Sequence, residues 1–132
     1  MPAPAGCVLA FDFGLKNIGV AVGQTVTRTA SPLDTISATD GKPDWKAVDR
    51  LVSEWRPHRL LVGLPLNMDD TESEMSARAR QFASRLAERS GIEVTLVDER
   101  LTSYASRQAA GPGGSHGMAA ALIAETWLND DR

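Results

Sequence analysis

The sequence predicts an α/β fold, a central mixed five-stranded sheet flanked by helices, in a single domain over residues 1–132 with a flexible N-terminal tail at 1–5. Three observations carry this. Two short apolar runs, 7–11 and 18–22, flank a turn containing Gly14, the pattern of a β-hairpin. Two later runs, 59–64 and 93–97, are apolar almost without alternation, as strands covered on both faces of a parallel sheet are. Between and after them, apolar residues recur at helical spacing, and such helices supply the crossovers that parallel strands need.

The first strand, Cys7-Val8-Leu9-Ala10-Phe11, ends at Asp12. Aspartate has poor strand propensity and is costly to bury alone. Asp12 therefore either meets a metal or a phosphate or caps the turn that follows. The returning strand is 18–22. A third strand is expected over 26–36, interrupted at Ala30-Ser31-Pro32, where Pro32 marks an edge position or a bulge. Asp44 stands where it can cap a helix carrying Trp45, Val48, Leu51, Val52 and Trp55, which ends before Pro57. The two tryptophans serve as core residues there before they serve as a ligand platform. After the strand at 59–64, Thr71-Glu72-Ser73-Glu74 has capping-box spacing. It opens a helix with Met75, Ala79, Phe82, Ala83 and Leu86 on one face, stopped by Gly91. The next strand, 93–97, runs into Asp98-Glu99-Arg100. The last helix, from about His116 to Asn129, is apolar nearly all round its middle and is expected to be buried.

Composition narrows the function classes. Apolar residues make up 42% and charged residues 23% of the chain, which is unlike a disordered sequence. No apolar stretch approaches the roughly 20 residues of a membrane span. The start Met1-Pro2-Ala3-Pro4 has neither the basic region nor the apolar core of a signal peptide, so a cytoplasmic protein without membrane contact is expected. The single cysteine, Cys7, cannot form an internal disulfide, agrees with a reducing compartment, and reads as a small buried hydrophobe. A net charge of −3 speaks against nucleic-acid binding through a strong global field. Local binding stays open. Lys16, Arg28, Lys42, Arg78, Arg80, Arg100 and Arg107 gather beside the motifs, and they form either a basic groove or an ordinary solvated surface.

Sheets of this kind place their chemistry at the carboxyl ends of the strands. Asp12, the loop Pro65-Leu66-Asn67-Met68-Asp69-Asp70 and the pair Asp98-Glu99 all fall at such ends. For Asp69 and Asp70 the plain reading as helix caps is the favoured one.

These residues carry a resemblance. Asp12-Phe13-Gly14-Leu15-Lys16-Asn17-Ile18-Gly19-Val20-Ala21, Val62-Gly63-Leu64-Pro65-Leu66-Asn67-Met68-Asp69 and Asp98-Glu99-Arg100-Leu101-Thr102-Ser103 are similar to the three main motifs of the YqgF family, also called RuvX. Those are bacterial proteins resembling Holliday-junction resolvases and implicated as nucleases in maturing the 5′ end of pre-16S ribosomal RNA. The likeness covers nearly the whole chain, including Pro32-Leu33-Asp34-Thr35-Ile36 and Glu125-Thr126-Trp127. It implies an RNase H-like, RuvC-like domain. The implied activity is hydrolysis of phosphodiester bonds, with Mg²⁺ or Mn²⁺ as cofactor and pre-16S rRNA or branched DNA as partner.

The chemistry agrees with that implication. A phosphodiester is already anionic, so the attacking water must lose a proton and the added charge must be neutralised, which carboxylates holding a divalent cation achieve. Asp12 and Glu99 are the metal ligands and catalytic residues so implied. Asp98 alternates to the other face of its strand. Lys16 and Arg100 are placed to contact substrate phosphate, with Asn67 and Thr102 as further candidates for substrate contact, although Arg100 suits bonding of the strand end equally well. The sequence leaves protein partners open.

Two departures from the family pattern follow. Family members begin the last helix with an aspartate, and ungapped alignment of Ala119-Ala120 and Glu125-Thr126-Trp127 puts His116 there. Glu125, nine residues on, faces the opposite side of the helix at about 100° per residue. His116 then either ligates metal as the third catalytic group, with a preference for Mn²⁺, or merely starts the helix of a site that has lost catalysis. The connector Gln108-Ala109-Ala110-Gly111-Pro112-Gly113-Gly114-Ser115 is short and uncharged where relatives carry basic residues, which removes one means of holding a nucleic-acid backbone. A catalytically silent RNA- or partner-binding module therefore stands beside the nuclease. An actin-like ATPase half-domain, which also begins with an Asp-x-Gly phosphate loop, is opposed by length, since that fold needs two such domains to form its cleft.

Overall fold

The computed structural model of the chain describes residues 6–67, 69, 71–99 and 116–130. Strands β1 (Cys7–Asp12), β2 (Asn17–Gln24) and β3 (Thr29–Thr39) form an antiparallel meander, and a two-residue strand β4 (Lys42–Pro43) pairs with the end of β3. Helix α1 (Trp45–Trp55) leads to β5 (Arg59–Leu64), α2 (Glu74–Ser90) leads to β6 (Val94–Asp98), and α3 (His116–Leu128) comes last. The sheet order is β4-β3-β2-β1-β5-β6, with β5 parallel to β1 and β6 parallel to β5. The mixed sheet and its flanking helices are those expected, but the strands number six rather than five. The addition is β4, which holds its register through two pairs only, Ala38↔Pro43 and Thr39↔Lys42, and is too short to show a periodic pattern.

β3 lies further along the chain than its apolar residues suggested. Val26, expected inside it, is 74% exposed in the turn before it, and Ile36 is the one fully buried residue of the strand. A strand with one face in water and so few buried residues defines its own ends weakly. Its bulge is where Pro32 pointed: Val20 pairs with Asp34 and Ala21 with Pro32, which leaves Leu33 as the extra residue.

The helices cover both faces of the sheet. On one, Leu9, Phe11, Ile18, Val20, Leu60 and Val62 pack against Val48 and Leu51 of α1 and Ala79, Phe82 and Leu86 of α2. On the other, Val8, Ala10, Leu61 and Val97 pack against Ile123 and Ala124 of α3. The α3 face of β2 is Gly19, Ala21 and Gly23, and Ala21 meets Ala120 and Ala121. Side chains this small let the helix lie close against the strand. Cys7 is buried in the first cluster, as expected, and burial pushes its thiol pKa up.

The helix ends differ in detail from expectation. Asp44 occupies the N-cap of α1 but makes no side-chain cap bond, and the helix ends at Arg56 in the left-handed conformation (φ 46°). The N-cap of α2 is Ser73, whose hydroxyl accepts from the Ser76 amide while the Ser76 hydroxyl accepts from the Ser73 amide. The capping box thus sits two residues beyond the expected Thr71 and Glu74. Thr71 is engaged in the preceding loop, its hydroxyl donating to Asp69 Oδ1 at 2.6 Å and accepting from Asn67 Nδ2 at 2.9 Å. Gly91 ends α2 at φ 71°, as expected of it. Among the described residues no helix is long and apolar enough to cross a membrane.

Candidate active site

Alternation along the strands sorts the candidate acids between the two faces. In β1, Val8 and Ala10 point to α3, so Asp12 projects from that same face at the carboxyl end. In β6, Val97 belongs to the α3 cluster. Glu99, two residues on, continues that face, and Asp98 is directed to the side of α1 and α2.

Two glycines hold open the space around these acids. Gly63 of β5 pairs with Val97. A Cβ placed on Gly63 would lie 2.9 Å from Glu99 Cγ, 3.0 Å from Glu99 Cδ and 2.5 Å from Ile123 Cδ1, so the Glu99 side chain lies directly over the glycine, between β5 and α3. Gly19 is the cross-strand partner of Asp12. A Cβ there would collide with the His116 carbonyl oxygen and come within 3.0 Å of the Gly117 amide nitrogen. The N-terminus of α3 therefore rests on the strand pair that carries Asp12. Both glycines are of a kind the sequence reveals, since glycine inside an apolar strand marks a close approach. What approaches them is visible only in three dimensions.

Asp12 and Glu99 are half-buried on this face, and His116 is exposed at the first position of α3. Two carboxylates and an imidazole suit Mg²⁺ or Mn²⁺ in kind, since hard cations take oxygen ligands and imidazole tolerates the softer ion. Among the described residues, however, no three of the His, Cys, Asp and Glu side chains converge into a metal-binding group.

The remaining candidates are dispersed. Lys16 is exposed in the turn between β1 and β2, where its carbonyl accepts from the Ala38 amide at 2.8 Å. Asn67 is exposed in the loop after β5 and is tied to Thr71 through its side chain and its backbone amide. Asp69 accepts from the Thr71 amide at 3.2 Å and so orders that loop, four residues ahead of Ser73, the N-cap of the helix it was expected to cap. Arg100 and Thr102 lie outside the described residues, as do Asp70, Arg107 and the connector 108–115.

Two of the basic residues near the motifs, Arg78 and Arg80, are engaged in ion pairs. Arg80 bonds Glu72 through Nε at 2.9 Å and Nη2 at 2.5 Å, which holds the Glu72 carboxyl below the usual carboxylate range. Arg78 pairs with Asp40 at 3.7 Å and with Glu74 at 3.5 Å. Among the described residues Lys16 and Lys42 have no ion-pair partner.

Solved structures with the same architecture include Thermus thermophilus RuvC in complex with a Holliday junction substrate, at a TM-score of 0.58 and 17% identity over 92% of this chain and 91% of that one. Fowlpox virus resolvase in complex with Holliday junction DNA superposes at a TM-score of 0.54 and 12% identity, over 94% of this chain and 99% of that one. These likenesses speak for the fold. Sequence relatives are nearer. A protein of Escherichia coli O7:K1 (strain IAI39 / ExPEC) named "Putative pre-16S rRNA nuclease" is 58% identical over 103 residues, 78% of this chain and 75% of that protein. One of the same name from Shigella boydii serotype 18 is 57% identical over the same lengths. The family model for RuvX, Holliday junction resolvase, matches residues 6–130, which takes in every strand and helix described above, and the chain belongs to that family.

Proposed function

We propose that the protein is a nuclease that hydrolyses phosphodiester bonds of structured nucleic acid in the 5′-end processing of pre-16S rRNA, with resolvase-like activity on branched DNA as a further capacity. The observation that carries the reading is the placement of Asp12 and Glu99 on one face at the carboxyl edge, with the start of α3 packed on the strand beside them. Asp12 and Glu99 are proposed as ligands of Mg²⁺ or Mn²⁺, with His116 as the third. A bound divalent cation supplies Lewis acidity and a water more easily deprotonated. The chain supplies the rest. Asp12 is held by a paired strand end, and Glu99 is seated over Gly63, where a β-carbon on residue 63 would crowd it. Lys16, exposed in the adjoining turn, offers a cation to a substrate phosphate. A cytoplasmic location goes with such a substrate.

The second reading, a binding module without catalysis, is favoured by the lack of a three-donor group among the described residues. One experiment separates the two: incubation of the wild type and Asp12→Asn with a pre-16S RNA fragment and with a four-way DNA junction, each with Mg²⁺ and with Mn²⁺. The nuclease reading expects metal-dependent cutting by the wild type and none by the variant. Binding without cutting under every condition would leave the module.

A further inference from the structure

A concavity unconnected with the acids lies on the other face of the same edge. It is an open pocket of about 430 Å³, within the range of small-ligand sites, at roughly 300–1,000 Å³. Its apolar walls are Phe13 and Trp45, both half-buried, over the buried ring of Phe82. Phe82 lies 5.5 Å from Phe13 and 5.6 Å from Trp45 between ring centroids, so the three rings brace one another. Lys42, Gln81 and Arg85 are exposed around it. The rim carboxylates Asp40 and Glu74 pair with Arg78. Among the described residues Lys42 and Arg85 have no ion-pair partner, which leaves the mouth of the pocket cationic.

The position matters as much as the lining. Phe13 follows Asp12 directly, and the two side chains leave opposite faces of the edge. The β3–β4 turn that closes the pocket is tied to the loop after Asp12 by the Gly41 amide, which donates to the Leu15 carbonyl at 2.9 Å. A strand of nucleic acid with a phosphate at Asp12 can therefore cross the edge and reach the pocket within a short span.

We propose that this pocket holds one unstacked nucleotide of the bound strand, its base stacked on Phe13 and meeting the edge of Trp45, whose ring is stacked with Phe82 and covered by the Arg89 guanidinium at 4.9 Å, with a phosphate between Lys42 and Arg85 and Gln81 offering an amide to the base edge. An aromatic face beside cations is the chemistry of single-strand binding, since every base has a stacking face and every linkage a negative charge. The proposal rests on the nuclease reading for the strand it serves, yet it is testable without cutting. In EDTA, a short fluorescein-labelled oligoadenylate is titrated against the wild type, followed by anisotropy and by quenching of tryptophan fluorescence. The same titration is run with Lys42→Glu/Arg85→Glu and with the control Lys46→Glu/Arg50→Glu, which makes the same charge change at exposed positions of α1 outside the pocket. An oligodeoxyadenylate arm tells RNA from DNA.

The expected result is saturable binding with quenching, weakened about tenfold or more by the pocket pair and markedly less by the control. Preference for either oligonucleotide supports the pocket and names its strand. Equal weakening by both pairs, or none by the pocket pair, overturns the pocket and leaves the nuclease reading standing. Failure of the wild type to bind also overturns it, and the cutting assay on pre-16S RNA then shows whether the nuclease reading has fallen as well.

Discussion

Gly63 and Glu99 form one unit of structure: the glutamate side chain occupies the place a β-carbon on residue 63 would take, with Cγ at 2.9 Å and Cδ at 3.0 Å from it. The same position is closed on its other side by Ile123 Cδ1 at 2.5 Å, so neither neighbour can absorb an added methyl group without moving. Gly63→Ala is expected to destabilise the fold by roughly 1–3 kcal/mol, the usual range for overpacking a core. It should also lower cleavage about 100-fold, the scale of a displacement near 1 Å in a catalytic group. Urea denaturation and a cleavage assay below the melting transition measure the two effects separately. A variant that keeps both values would mean that Glu99 does not need the space.

Asp12→Asn is expected to abolish cleavage while the melting temperature holds or rises slightly. Asp12 and Glu99 share one face, and removing one charge from a pair of like sign relieves repulsion. Thermal unfolding beside the assay on pre-16S RNA checks both halves. Cutting at the wild-type rate would remove Asp12 from the catalytic set.

Glu99→Gln should be as damaging as Asp12→Asn, whereas Asp98→Asn should change the rate only a few-fold. Asp98 pairs in register with Leu64 and projects to the side of α1 and α2, and Glu99 projects toward α3. Rates for the two variants, measured side by side, decide the matter. If Asp98 proved essential, the strand would have to turn by one residue.

That distinction was legible in the sequence because strands alternate with period two, and once 93–97 is a strand the faces of its neighbours follow. The hairpin, β5 and α3 were legible for a related reason: their residues are buried on nearly every side, so their apolar runs are continuous. β3 exposes most of its residues, so its ends were placed three residues early, and β4 is held by pairing alone. The cap of α2 was misplaced because Thr71 bonds Asp69 and Asn67 within its own loop, a choice made by the loop and not by spacing. Gly19 and Gly63 stood out as glycines within strands. That they lie under His116 and Glu99 depends on how α3 docks, which no local pattern encodes.

His116 is the point at which this chain parts from the family pattern, and its substitutions carry the most information. The residue starts α3, and its backbone is fixed against Gly19, the partner of Asp12, so its side chain can be changed without moving the helix. If the imidazole is a ligand, His116→Ala should weaken Mn²⁺ binding by about 10- to 100-fold and lower cleavage in step, with the melting temperature of the metal-free protein unchanged. His116→Asp should restore cutting and shift the preference toward Mg²⁺, because a carboxylate oxygen suits the harder ion. Isothermal titration with each metal, run beside the cleavage assay, separates loss of binding from loss of chemistry. Should His116→Ala leave both unchanged, Asp12 and Glu99 hold the metal without it, and the histidine is only the first residue of a helix.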